Sequence, residues 1–196
     1  MLLAEVARVS REVAETSSRS RKTALLAELF AAAPAAEAAL VISYLAGRLP
    51  QGRPGLGWRA LGREVPAADR PTLGIAEVDA AVTELAAVAG AGSQAERRRI
   101  LDTLFGAATE PEQRFLRSLL SGEVRQGALD AAALEGVAAA AGVPAAELRR
   151  AVMLEGSLPR VGAAVLADGP EALRRVTLRV GQPVQPMLAN TAASVA

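Results

Sequence analysis

The sequence predicts an all-α protein, and three observations carry that expectation. Half of its 196 residues are apolar (51%) while only 3% are aromatic, so the core must be built from alanine, leucine and valine, side chains that suit packed helices. Apolar residues recur three and four positions apart along most of the chain, the spacing that gathers them on one helical face. Several prolines stand at the edges of these stripes, where helices begin and a missing N–H costs little. A chain of this length can bury a substantial core as one large domain or two small ones.

Taken in order, Leu3, Val6, Val9 and Val13 form the first stripe, Leu25, Leu26, Leu29 and Phe30 the second, and Leu40, Val41, Tyr44 and Leu45 the third. Leu49 to Gly74 is rich in glycine and proline and reads as a long irregular connection. Three more stripes follow: Val78, Val82, Leu85 and Val88; Ile100, Leu101, Leu104 and Phe105; then Phe115, Leu116, Leu119 and Leu120. Helices are also expected over 129–141, 145–154, 160–167 and 171–180, with Pro144, Pro159 and Pro170 at or just before three of the starts. Gly181 to Ala196 loses helical periodicity and reads as a linker.

Three helices precede the connection and three follow it, which points to an internal duplication. At an offset of 75, residues 16–52 align with 91–127 without a gap, and twelve of the 37 positions are identical, among them Leu26/Leu101, Phe30/Phe105, Glu37/Glu112, Ser43/Ser118 and Gly47/Gly122. Helical patterning accounts for the shared leucines and alanines. It does not account for the hexapeptide Gly-x-x-x-Gln-Gly, which closes both segments as Gly47 to Gly52 and Gly122 to Gly127. The expected organisation is therefore a helical domain over residues 1–180, with repeat one at about 3–52, repeat two at about 75–127 and further helices over 128–180. A linker at 181–196 completes it, and the two repeats are related by a pseudo-twofold axis.

The inventory of side chains excludes much chemistry. Cysteine and histidine are absent, which removes disulfides, thiolate metal sites, zinc-finger spacings and the common catalytic triads together. Paired acids such as Glu110/Glu112 and Asp168/Glu171 sit near helix starts, where they act as caps and dipole partners. No phosphate-binding loop of the Gly-x-x-x-x-Gly-Lys type occurs. Lys22 is the single lysine and its neighbours, Arg21 and Thr23, match no nucleophile motif. No catalytic residue, metal ligand or cofactor is assigned to this chain. An acid at Glu5 interrupts any leader-like apolar run, and the longest apolar stretches, Ala38 to Ala46 and Val137 to Gly142, fall short of the roughly 20 residues that cross a bilayer. A soluble, cytoplasmic monomer with no membrane partner is expected.

Twenty-two basic against twenty-one acidic residues leave a net charge of +1, so a polyanion partner would need local patches rather than a global field. Two loops and two clusters supply candidates. Ser121, Gly122, Arg125, Gln126 and Gly127 offer a hydroxyl, a guanidinium, an amide and glycine backbone that a phosphate can approach closely; Gly47, Gln51 and Gly52 repeat part of that set. Arg21 and Lys22 open one helix and Arg97 another, Lys22 aligning with Arg97. With so few aromatic rings, stacking on unpaired bases is poorly served, and contact with a duplex backbone is the better expectation. Against this, a helix C-cap glycine explains Gly47 and Gly122 with no ligand at all.

The run Arg114-Phe115-Leu116, Leu119-Leu120-Ser121-Gly122-Glu123-Val124-Arg125-Gln126-Gly127-Ala128-Leu129 resembles the characteristic segment of the N-terminal DNA-binding domain of ATP-dependent DNA ligases. The tail Gly181-Gln182-Pro183-Val184-Gln185-Pro186-Met187-Leu188-Ala189 is similar to their junction into the nucleotidyltransferase domain. Arg149 to Leu158 also fits, although an acid is commoner where Ser157 stands. The resemblance implies an all-helical domain that grips nicked double-stranded DNA across the minor groove, independently of sequence, in the service of DNA repair and replication. It implies phosphate contacts from Ser121, Gly122, Arg125 and Gly127; Gln126 and the first loop follow from the internal repeat. ATP and a divalent metal are implied for the longer parent enzyme, whose lysine motif would lie beyond the junction. The rival reading is a non-enzymatic helical scaffold for protein interaction, whose loops only cap helices.

Overall fold

A computed structural model describes residues 1–52, 54–124 and 129–178. Those residues form eleven helices: α1 (Leu3–Glu15), α2 (Arg19–Ala32), α3 (Ala38–Leu45), α4 (Trp58–Leu61), α5 (Ile75–Ala87), α6 (Ser93–Gly106), α7 (Glu110–Ser121), α8 (Leu129–Ala141), α9 (Ala145–Glu155), α10 (Leu158–Asp168) and α11 (Glu171–Arg174). The all-α architecture is as the apolar spacing predicts. Pairing of the strand type among the described residues is confined to Leu2 and Gly74, beside bonds from Leu3 N to Leu73 O (2.8 Å) and Ile75 N to Met1 O (3.1 Å). No single described helix is long and apolar enough to cross a membrane.

The local signals that end and begin helices are physical and visible. Ser18 caps α2 by accepting from Arg21 N at 3.3 Å. Ser157 does the same for α10, accepting from Arg160 N at 3.4 Å, so a serine fills there the capping role that an acid also serves. At α7, Thr109 N (2.7 Å) and Thr109 Oγ1 (2.6 Å) donate to Glu112 Oε2, a capping box whose glutamate is fully buried. Pro144 and Pro170 stand at N-caps and Pro159 in the first turn, as expected of residues that lack an N–H.

Two expectations need correction. The connection between Leu49 and Gly74 is not wholly irregular, since four residues of it wind into α4 and Leu61 joins the core. The helix expected over 171–180 stops at Arg174: Ala172 and Leu173 are buried, but the β-branched pair Val176 and Thr177 follows and disfavours helix. Leu178, which would continue an inward stripe, is 70% exposed.

Side chains from all the long helices meet in one core built around Leu3, Leu26, Phe30, Ile42, Tyr44, Ile75, Leu85, Leu116 and Leu148. Helix α8 lies along α2 and α10 along α3. Both contacts are closed by glycine. A Cβ on Gly136 would come within 2.7 Å of Leu26 Cβ and 3.2 Å of the Phe30 ring; one on Gly162 would come within 2.7 Å of Ile42 Cδ1. The section after the second Gly-rich loop is thus wedged against α2 and α3.

Candidate nucleic-acid interface

The last turns of α3 and α7 end alike. In the first, Gly47 takes φ +67°, its N–H donates to Tyr44 O at 3.0 Å and Arg48 N donates to Ser43 O at 2.9 Å. In the second, Gly122 takes φ +77°, its N–H donates to Leu119 O at 3.2 Å and Glu123 N donates to Ser118 O at 2.9 Å. Both are Schellman caps, and each of their residues corresponds to its counterpart at the offset of 75. These particular N–H groups are therefore taken by the helix ends. Ser121 Oγ also turns inward, donating to Ser118 O at 3.2 Å.

The caps bring the two loops together. Gly47, Arg48, Leu49 and Gly52 of the first loop and Gly122 of the second line one surface depression of about 190 Å³, floored by Leu119 and Leu120. Glycine on both sides leaves no Cβ to hold a large chain-like partner away. Around Gly52, at φ +76°, a Cβ would meet nothing within 4 Å. The depression is smaller than the roughly 300 Å³ at which small-molecule pockets begin. It suits the edge of a larger ligand rather than an enclosed nucleotide. Arg48 pairs with Asp130 at 2.8 Å, and both side chains are more than half exposed, so the pair contributes little and its guanidinium is available to exchange partners.

The other candidates divide. Arg125, Gln126 and Gly127 lie outside the described residues. Gln51 is tied down: its Nε2 donates to Asp79 Oδ1 at 2.7 Å and Thr83 Oγ1 at 2.8 Å. Arg21 is exposed and Lys22 half-buried at the start of α2. Arg97 turns inward and donates to Val88 O at 3.0 Å and Pro54 O at 3.5 Å, closing the C-terminal end of α5 against the connection. Lys22 and Arg97 are equivalent in sequence and differ in use. Arg19 reaches Glu135 of α8, with Nε to Oε2 at 3.2 Å, and that hydrogen bond holds the Glu135 carboxyl below its ordinary pKa.

A larger groove, about 590 Å³, runs between α1 and α7 and is bordered by Arg8, Arg11 and Arg114. Each of those arginines is paired along its own helix, with Glu12, Glu15 and Glu110. Its floor is largely apolar, with Ala7, Val13, Leu45 and Phe115, and it lacks the glycine backbone that both loops bring to the smaller depression.

Arg48, Asp79 and Thr83 are the residues around the first loop that spacing did not single out. Arg48 sits inside the repeated hexapeptide, but its counterpart is Glu123 and the repeat gave it no weight. Asp79 and Thr83 face the polar side of α5, where nothing in the pattern separates a tether from a solvated residue.

Tyr44, one turn before the first cap, is fully buried, and burial, reinforced by the Asp79 charge, pushes its phenol pKa up. A tyrosine in the unfolded chain ionises near pH 10, whereas the folded one keeps its proton longer. The stability this contributes is complete below pH 10 and is lost as the pH rises beyond it. Urea titrations are expected to show about 1 kcal/mol lost between pH 10 and 11 from this group, and Tyr44→Phe should remove that slope. An equal slope in Tyr44→Phe would refute the assignment.

Residues 59–138 match the family described as DNA ligase N terminus. The chain is 67% identical over 196 residues to a "Probable DNA ligase" of Streptomyces coelicolor and 64% identical over 195 residues to one of Streptomyces griseus subsp. griseus. It is 53% identical over 198 residues to a "Probable DNA ligase" of Mycolicibacterium paratuberculosis. In each case 100% of this chain aligns with 38% of the relative. The chain therefore spans a little over a third of the length of these curated relatives.

Proposed function

This chain belongs to the DNA ligase N-terminal family, and from that premise we propose that it binds duplex DNA around a nick through the phosphate backbone, without reading sequence. The observation that carries the reading is the convergence of Gly47, Gly52 and Gly122 on one shallow depression beside Arg48. Two equally capped loops on one face match the two antiparallel backbones of a duplex, and the identical capping at an offset of 75 supports a duplication as the source of that symmetry. Arg125, Gln126 and Gly127, which follow the second cap in sequence, are assigned to the same phosphate-binding role, with Arg21 and Lys22 as further cations. Sealing of the nick, with ATP and a divalent metal, belongs to the remaining length of the parent protein. The depression here is too small for a nucleotide, and no residue of this chain is assigned to either group.

Titration of a labelled nicked duplex at several salt concentrations tests the reading. The logarithm of the association constant should fall linearly with the logarithm of salt, by about 0.9 per phosphate neutralised, and change little between duplexes of different sequence. Arg125→Ala should weaken binding by on the order of 1 kcal/mol and flatten the slope by about one contact. Gly127→Val should do worse, because it blocks close approach of backbone. Binding without salt dependence would instead favour the scaffold reading, for which the caps are purely structural.

A further inference from the structure

The first loop is bracketed by two side chains that lead to one carboxylate. Tyr44 stands three residues before Gly47, and its buried hydroxyl makes no full hydrogen bond among the described residues although Asp79 is near enough to act on it. Gln51 closes the loop, and its Nε2 is held by Asp79 Oδ1 (2.7 Å) and Thr83 Oγ1 (2.8 Å), with Asp79 O at 3.4 Å. The neighbouring acids of α5 are engaged elsewhere: Glu77 accepts from Gly74 N at 2.7 Å and Glu84 pairs with Arg99 at 2.9 Å. Asp79 alone among these three faces the loop. The stretch from Tyr44 to Gly52 holds Gly47 and Gly52 at positive φ, and would sample many conformations if untied.

We propose that Asp79 is a positioning residue for DNA binding: by holding Gln51 and facing Tyr44, it fixes the Gly47 to Gly52 loop in the conformation that borders Gly122. This rests on the duplex-DNA reading above. A loop ordered in advance does not have to be ordered by its ligand, which strengthens binding without adding a contact. The direction of the effect is diagnostic. Removing an acid from a protein that binds a polyanion ordinarily strengthens binding, so weaker binding on loss of Asp79 runs against the electrostatic trend.

The experiment measures the affinity of the 196-residue chain for a nicked duplex, with amide hydrogen exchange of residues 47–52, in Asp79→Ala, Asp79→Asn, Gln51→Ala and the Asp79→Ala/Gln51→Ala pair. Asp79→Ala and Gln51→Ala should each weaken binding about five- to tenfold, the scale of the net contribution of one hydrogen bond. The pair should be no worse than either, because both act through one tether. Asp79→Asn makes the same charge change as the alanine variant but keeps a carbonyl to accept from Gln51, so it should bind nearly as the parent does. Exchange should quicken in 47–52 only, and the salt slope should stay unchanged because no phosphate contact is lost. Unaltered loop exchange in Asp79→Ala, loss of protection throughout the core, additive losses in the pair, or an asparagine variant as weak as alanine would each overturn the proposal. If the parent chain itself shows no salt-dependent binding, the DNA reading fails before any variant is compared, and the positioning role falls with it.

Discussion

Gly136→Val is expected to lower the stability of the fold by about 3 kcal/mol, the upper part of the range for overfilled cores, a large share of the 5–15 kcal/mol that holds a domain together. The cause is geometric. A Cβ at this position would stand 2.7 Å from Leu26 Cβ and 3.2 Å from the Phe30 ring, and neither neighbour is the free end of a flexible side chain. Helices α2 and α8 would have to separate along a contact that is buried on both sides. Gly136→Ala sharpens the test, because alanine in a helix interior normally gains about 1 kcal/mol over glycine. Here it should lose stability. Gly106→Ala, at the last residue of α6, is the packing control: its Cβ would meet Val65 Cγ1 at an ordinary 3.8 Å, so no loss of stability from overfilling is expected there. Urea denaturation of the three variants decides, and a Gly136→Ala chain more stable than its parent would refute the close contact.

Gly122→Val is the second large effect and joins stability to binding. At φ +77° a valine is strained by roughly 1–2 kcal/mol, and its branched Cβ adds to that. The chain can escape only by unwinding the cap, which gives up the bonds from Gly122 N to Leu119 O and from Glu123 N to Ser118 O. Glu123 and Val124, which lead toward Arg125 and Gly127 in sequence, then leave α7 in a different direction. A fall in stability of about 2 kcal/mol is expected, together with at least a tenfold loss of affinity for a nicked duplex. Gly52→Val provides the comparison, since its Cβ would meet nothing within 4 Å and only the local backbone is strained. If Gly122→Val binds as the parent does, the second loop is no part of the interface.

The helices were legible because their apolar stripes are regular and their caps are chemically distinct. Leu3 to Val13 and Phe115 to Leu120 needed nothing more than periodicity, and the Thr109 to Glu112 spacing announces a capping box. Its counterpart in the first segment was not foreseeable from the alignment. Glu37 matches Glu112, but Pro34 stands where Thr109 does, so no hydroxyl is available and Glu37 instead meets the Met1 ammonium. The short α4 escaped notice because four residues are too few to show a period, and α11 was overextended because Val176 and Leu178 look like a continuing stripe. In the interface, positive-φ glycines were predictable from the hexapeptide. Where their N–H groups point, and which polar residue of α5 holds Gln51, depends on packing between segments far apart in sequence.

Helix α8 has a consequence for how the chain comes to be folded as it is made. Leu26 and Phe30 emerge early, yet the glycine face that covers them belongs to Gly136, about a hundred residues downstream. At ordinary rates of synthesis of about 5–20 residues per second, that face of α2 waits several seconds for its cover. In that interval the nascent chain carries a bare leucine and phenylalanine surface, open to chaperones and to other nascent chains. Helices α2 and α3 reach their final packing only after α8 and α10 have left the ribosome.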